Sequence, residues 1–248
     1  SREAWDRNHK GDRTSLELFG QQNQLIDALA GLGKPMIGIL INGRPLSVNN
    51  LVAKADTIFE CFYLGQETGT AIAEVLFGEY NPGGKLSISI PRSAGHVPCY
   101  YNYRPSARRN YLFDETTPLF PFGHGLSYTE FKLSDMQLDK TEISTTEKTE
   151  LSVTIQNTGK LKGDEVVQLY IRDEHSSVTR PVKELKGFQR VTLEPGEKKK
   201  IHFIIDEDKL ALHAIDHRYK VEPGNFLLMA GTSPASENFL TCMLTVKE

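Results

Sequence analysis

The 248-residue chain sets 29 Lys and Arg against 32 Asp and Glu, a net charge of −3, and is 39% hydrophobic and 25% charged. That is the balance of an ordinary globular chain long enough for two separate cores, and it carries no basic block of the kind that binds nucleic acid. No apolar run approaches the roughly 20 residues that cross a bilayer, so a membrane partner is not expected either.

Up to about residue 120 helices and strands alternate. Residues 21–32 place Leu25, Ile26, Leu29 and Leu32 on one helical face. Gly33-Lys34-Pro35 ends that helix. Residues 36–41 are almost wholly apolar, which suits a parallel strand covered on both faces. A short helix over 47–54, a second buried strand over 56–62 and a helix over 66–77 follow, the last with Ile72, Val75 and Leu76 inward. This order implies a parallel sheet with right-handed crossovers. Two or three strands are too few for a doubly wound sheet, so residue 1 is expected to lie inside a domain.

From about Phe131 the period becomes two. Leu151, Val153 and Ile155 alternate with polar residues, as do Val167, Leu169 and Ile171, then Ile201, Phe203 and Ile205, then Leu240, Cys242, Leu244 and Val246. Asn157-Thr158-Gly159, Glu194-Pro195-Gly196 and Glu222-Pro223-Gly224 supply the turns. About seven short strands of this kind make an antiparallel sandwich. Lys198-Lys199-Lys200 reads as the solvated entrance to a strand, and Asp206, Glu207 and Asp208 as a solvated turn. Cys61, Cys99 and Cys242 show no metal spacing, and Cys61 and Cys242 fall in apolar strands as buried free thiols.

The predicted fold class is therefore α/β plus all-β. An incomplete flavodoxin-like α/β sandwich domain over 1–120 is followed by a connector over 121–133 and an immunoglobulin-like (fibronectin type III-like) β-sandwich over 134–248. A nucleotide-binding role is disfavoured, because no Gly-rich phosphate loop follows either early strand.

Several strings are specific in order and spacing. Asn42-Gly43-Arg44-Pro45-Leu46 follows the first apolar strand, and Tyr63-Leu64-Gly65-Gln66-Glu67-Thr68-Gly69 precedes the third helix. That helix ends in Val75-Leu76-Phe77-Gly78, and Asn81-Pro82-Gly83-Gly84-Lys85-Leu86 and Pro118-Leu119-Phe120-Pro121-Phe122-Gly123-His124-Gly125-Leu126-Ser127-Tyr128-Thr129 come next. Asn157-Thr158-Gly159, Gly163-Asp164-Glu165-Val166-Val167-Gln168-Leu169-Tyr170 and Pro181-Val182-Lys183-Glu184-Leu185-Lys186-Gly187-Phe188 complete the set. The ordered set resembles the C-terminal half of a glycoside hydrolase family 3 enzyme of the β-glucosidase type, along essentially the whole chain.

The resemblance implies a three-domain, exo-acting retaining β-glycosidase. An N-terminal (β/α)8 barrel, absent from this chain, would carry the aspartate nucleophile; the α/β domain would carry the acid/base; a fibronectin type III-like domain would close the chain. Retaining glycosidases need two carboxyl groups about 5–5.5 Å apart, one nucleophile and one general acid/base. The family's acid/base sits in a string like Glu-x-x-Asp-Arg, matched here by Glu3 in Ser1-Arg2-Glu3-Ala4-Trp5-Asp6-Arg7. Trp5 and Arg2 then become the substrate-side residues. Trp5 would exclude water and keep Glu3 protonated, whereas Arg2 and Arg7, turned inward, would hold it ionised. A second Asp12-Arg13 fits the downstream spacing better, and counting back from it puts His9 at the acid position. An insertion after Glu3 accounts for this without losing the carboxyl group.

The same resemblance implies a carbohydrate substrate, no metal or organic cofactor, and a periplasmic or secreted location; a homo-oligomer stays open. By itself the chain is expected to be inactive, and a carbohydrate-binding or scaffold module without catalysis is the competing reading. Among other residues, Glu67 reads as structural at a helix start and His124 as a packed connector residue. Gly43 and Arg44 order the loop beside Glu3. Tyr100-Tyr101-Asn102-Tyr103-Arg104 with Arg108 and Arg109 fits a sugar-site wall and a subunit contact equally.

Overall fold

A computed structural model describes residues 14–107, 111–233 and 239–248. They form two compact units. One holds the described residues up to Glu79 with Ile88–Cys99 and Leu112–Pro121; the other holds Tyr80–Ser87, the described part of Tyr100–Tyr111, and the described residues of Phe122–Glu248.

In the first unit α1 (Gln22–Ala30), β1 (Ile37–Leu40), α2 (Asn49–Val52), β2 (Thr57–Glu60) and α3 (Thr68–Leu76) alternate. Gly33, at φ 61°, takes a left-handed backbone that residues with a Cβ avoid, just past the end of α1. β1 and β2 pair in parallel, from Ile37 opposite Thr57 to Leu40 opposite Glu60. Ile26, Leu46, Val48 and Leu51 form the buried centre, with Met36, Leu40 and Ile58 packed around it. Leu51 reaches β1 where Gly38 leaves room; a Cβ there would stand 2.8 Å from the leucine's Cδ2.

The apolar faces are where periodicity places them, but their cover is not. Leu25, Leu29 and Leu32 of the α1 region are 59%, 42% and 66% exposed, and Ile26 alone of that predicted face is buried. Ile37, Ile39 and Ile41 are exposed too, so β1 is not covered on both faces. Ile72, Val75 and Leu76 of α3 are half-buried. Periodicity identifies which face is apolar, not what packs on it.

In the second unit the strands are β3 (Phe131–Leu138), β4 (Glu142–Ser144), β5 (Thr149–Asn157), β6 (Gly163–Asp173), β7 (Glu184–Leu193) and β8 (Lys198–Ile205). A one-turn helix α4 (Glu207–Leu210), a hairpin of β9 (Leu212–His213) and β10 (Tyr219–Lys220), and β11 (Gly224–Gly231) and β12 (Leu240–Lys247) complete it. One sheet runs β4-β12-β11-β6-β7 and the other β3-β5-β8. Every pairing is antiparallel except β4 on β12.

The alternating residues meet between the sheets. Leu151, Val153, Ile155, Val167, Leu169, Ile205, Leu228 and Leu244 have no exposed surface. Each such side chain contributes about 1.5–3 kcal/mol relative to exposure. The lysine run opens β8 and is exposed. The acidic cluster is not a simple turn. Asp206 stands at the start of α4, Glu207 and Asp208 fill its first turn where the helix dipole favours them, and Lys209 pairs with Asp206 at 3.1 Å.

No helix among the described residues is long and apolar enough to cross a membrane.

Candidate functional site

The residues that sequence reading places at the chemistry, Glu3, Trp5 and Arg2, lie outside the described residues, as do Arg7, His9, Asp12, Arg13, Arg108 and Arg109. The stretch just after residue 13 is anchored. The loop after β1 donates Ser47 N–H to the Leu16 carbonyl at 2.9 Å, and the buried Ser47 Oγ donates to the Pro91 carbonyl at 3.1 Å. Asn49 Nδ2 donates to the Arg92 carbonyl at 2.7 Å. One loop thus holds both the segment leading out of residues 1–13 and the segment at residues 91–92.

That loop leaves the C-terminal end of β1, the edge at which open parallel sheets place ligand and catalytic loops. Asn42 is 2% exposed and donates through Nδ2 to the Arg44 carbonyl at 2.8 Å. Its Oδ1 is buried without a hydrogen-bond partner. The Tyr63 ring lies against Gly43, where a Cβ would come within 2.8 Å of it. At the matching end of β2, Glu60 Oε1 accepts Phe62 N–H at 3.2 Å. Phe62 adopts φ 47°, a left-handed conformation costly for an aromatic residue, directly before Tyr63. Burial pushes the Glu60 carboxyl above the usual glutamate range, against hydrogen bonding from Phe62 and the Asn42 amide that favours the charged form. Sequence reading assigns roles to Gly43 and Arg44 here but none to Asn42 or Glu60. The available signal was a carboxyl group closing an otherwise apolar strand.

Glu67 precedes α3, where its backbone carbonyl accepts Ala71 N–H at 3.0 Å and its side chain accepts the Thr70 hydroxyl at 3.1 Å. It is part of the helix start.

In the second unit the most distinctive motifs lock one another. The Lys85 ammonium meets Glu165 at 2.8 Å and donates to the Gly125 carbonyl at 2.8 Å; the two charged side chains are 12% and 7% exposed. Burial raises the Glu165 carboxyl and Lys85 opposes that rise. His124 accepts Leu86 N–H at its carbonyl, 2.8 Å, and burial followed by the Lys85 charge disfavours its protonation. A Cβ on Gly125 would overlap the Gly84 carbonyl, and one on Gly83 would stand 2.7 Å from the Asp164 side chain. Asn81 donates to the Lys162 carbonyl at 2.9 Å and accepts from Ser127 Oγ and Tyr128 N–H, each at 2.8 Å. Thr129 donates to Asn157 Oδ1 at 2.8 Å, and Asn157 Nδ2 donates to the carbonyls of Leu161 and Leu193. These side chains are committed to structure.

Part of the aromatic loop is committed as well. Tyr101 stacks on Phe122 with centroids 4.4 Å apart and meets the buried Tyr170 edge-on at 5.9 Å. Its hydroxyl accepts Leu185 N–H at 3.2 Å, and the Tyr103 carbonyl accepts Val182 N–H at 2.9 Å. Tyr100 remains 64% exposed. None of the three cysteines is in a disulfide; burial raises the Cys61 thiol and pushes that of Cys242 up to about 11. A cleft of about 1040 Å³ runs past the ends of β6 and β10, walled by charged and hydroxyl side chains, with no Phe, Tyr or Trp among its described residues.

Comparison with known proteins completes the picture. Residues 1–128 match the family described as glycosyl hydrolase family 3 C-terminal domain, and residues 165–234 match a fibronectin type III-like domain. The chain is 48% identical over 241 residues to a β-xylosidase of Formosa agariphila, covering 96% of this chain and 33% of that protein. It is 44% identical over 234 residues to the periplasmic β-glucosidase of Salmonella typhimurium, covering 90% and 31%. Its fold superposes on a solved β-glucosidase from Erythrobacter marinus with a TM-score of 0.93 at 43% identity, over 99% of this chain and 32% of that one. The chain spans about a third of the length of these relatives.

Proposed function

We infer function from one premise: this chain belongs to glycosyl hydrolase family 3, carrying its C-terminal domain followed by a fibronectin type III-like domain. We propose that it serves a retaining, exo-acting β-glycosidase that removes terminal β-linked glucose from glucosides or oligosaccharides. The observation that carries this reading is the likeness to β-glucosidase along 99% of the chain in fold, at 43% identity. The β-xylosidase relative makes terminal β-linked xylose the substrate to set beside glucose.

In this reading Glu3 is the general acid/base, with Trp5 and Arg2 beside it facing the sugar. Protonated Glu3 gives its proton to the glycosidic oxygen as the C–O bond breaks, while an aspartate of an N-terminal (β/α)8 barrel bonds to the anomeric carbon. Ionised Glu3 then takes a proton from water, whose oxygen displaces the aspartate and restores the β-configuration. The loop after β1, tied to Leu16, supports this assignment by fixing the chain just past residue 13. The exposed apolar faces of α1 and β1 would pack against the remainder of such an enzyme. The periplasmic relative supports a periplasmic or secreted location.

The test is stereochemical. The full-length enzyme is given an aryl β-D-glucoside and an aryl β-D-xyloside, and the first-formed sugar anomer is read by proton NMR. A β-anomer, released faster from the glucoside, is expected. An α-anomer, or no hydrolysis of either, rejects the reading.

A further inference from the structure

Beyond the end of β2 the chain presents an aromatic side chain to solvent in a fixed pose. Tyr63 is 64% exposed. Phe62, directly before it, adopts φ 47°, a left-handed backbone that a bulky residue takes only where its surroundings enforce it. The backbone leading into Tyr63 is tied twice: Cys61 N–H donates to the Leu40 carbonyl at 3.0 Å, and Phe62 N–H donates to Glu60 Oε1 at 3.2 Å. The rim of the Tyr63 ring then rests on Gly43. A Cβ at that position would stand 2.8 Å from Cε2 and 3.1 Å from the hydroxyl oxygen, so glycine keeps the seat open. The ring is held against the loop while most of the residue's surface stays uncovered by the described residues.

The place matters as much as the pose. Gly43 belongs to the loop after β1, at the sheet edge where parallel strands bind ligands. Ser47 of the same loop donates its N–H to the Leu16 carbonyl at 2.9 Å, holding the exit of residues 1–13. A general acid must reach the glycosidic oxygen, so the element that delivers it borders the leaving group. The faces of a pyranose carry C–H groups that an aromatic ring covers, while its hydroxyls turn outward to polar partners.

We propose that Tyr63, seated on Gly43, is a specificity-determining residue whose open ring face stacks on the leaving-group sugar. The inference rests on the reading that Glu3 protonates the departing oxygen. Such a contact is made in the bound substrate and in the transition state alike, so it acts on KM and leaves kcat nearly unchanged. A leaving group too small to reach the ring gains nothing from it.

In the full-length enzyme, kcat and KM are measured for wild type, Tyr63→Ala and Tyr63→Phe on two substrates. One is cellobiose, whose leaving group is a glucose; the other is methyl β-D-glucoside, whose leaving group is methanol. Melting temperature is recorded alongside. Tyr63→Ala is expected to raise KM for cellobiose about 3- to 10-fold, the worth of one aromatic contact. Its kcat, and both constants for the methyl glucoside, are expected to stay within about 2-fold of wild type. Tyr63→Phe, which keeps the ring, is expected to match wild type on both substrates. Equal losses on the two substrates overturn the proposal, and a lowered melting temperature with them would mean that the ring packs on the rest of the enzyme. An unchanged KM for cellobiose in Tyr63→Ala, or a Phe variant as impaired as Ala, overturns it too. In each of those cases wild type still cleaves both glucosides and the glycosidase reading stands. A wild type that cleaves neither removes that reading and this inference with it.

Discussion

The two units use the same alphabet of apolar periodicity to different ends. In the sandwich every alternating run finds its cover inside the unit, and Leu151, Leu169 and Leu228 have no exposed surface. In the α/β unit the run through α1 and β1 buries Ile26 but leaves Leu25, Leu32 and Ile39 open. A stripe of apolar residues states a need for cover without stating where the cover comes from. The sandwich core is built from its own strands. The α/β unit presents faces that, in the proposed function, the rest of a larger enzyme would meet.

Substitutions in the 248-residue chain should separate the two units. The largest effect is expected at Lys85→Met, which leaves Glu165 buried without its countercharge; losing one partner of such a pair costs about 3–5 kcal/mol. Urea unfolding followed on the sandwich transition measures it, and a loss below about 1 kcal/mol would mean that solvent reaches the pair. Next comes Leu151→Ala, expected to cost about 2–5 kcal/mol in the same transition through lost burial and the cavity left behind. At the small end stands Leu32→Gln on the open α/β face, expected to change stability by no more than about 0.5 kcal/mol. A large loss there would mean that this leucine is covered in solution, and the contrast between the units would weaken.

Much of the fold was legible because its signals are local. Val167, Leu169 and Ile171 announce a strand by alternation, and Leu25 through Leu32 announce a helix by spacing. The short fourth strand escaped that reading, since Glu142–Ser144 carries one buried residue, Ile143, and joins the sheet by parallel pairing with β12. The distinctive motifs identified a family long before their reasons were visible. Lys85 with Glu165, Asn81 with Lys162 and Thr129 with Asn157 are partners far apart in the chain, and no periodicity links them. Among the described residues those pairs tie the second unit together. Asn42 and Glu60 went unassigned for a similar reason: each looks unremarkable alone, and only the parallel pairing of β1 with β2 brings the ends of the two strands together.

We propose that this chain carries the proton-transferring half of a two-carboxylate site at Glu3. The most direct test of this claim is Glu3→Ala in the full-length enzyme, assayed on aryl β-D-glucosides of graded leaving-group acidity. Loss of a general acid should cost about 10²–10⁴-fold in kcat/KM on poor leaving groups, while the most acidic phenols, which depart without protonation, are largely spared. Equal loss across the series would contradict the claim.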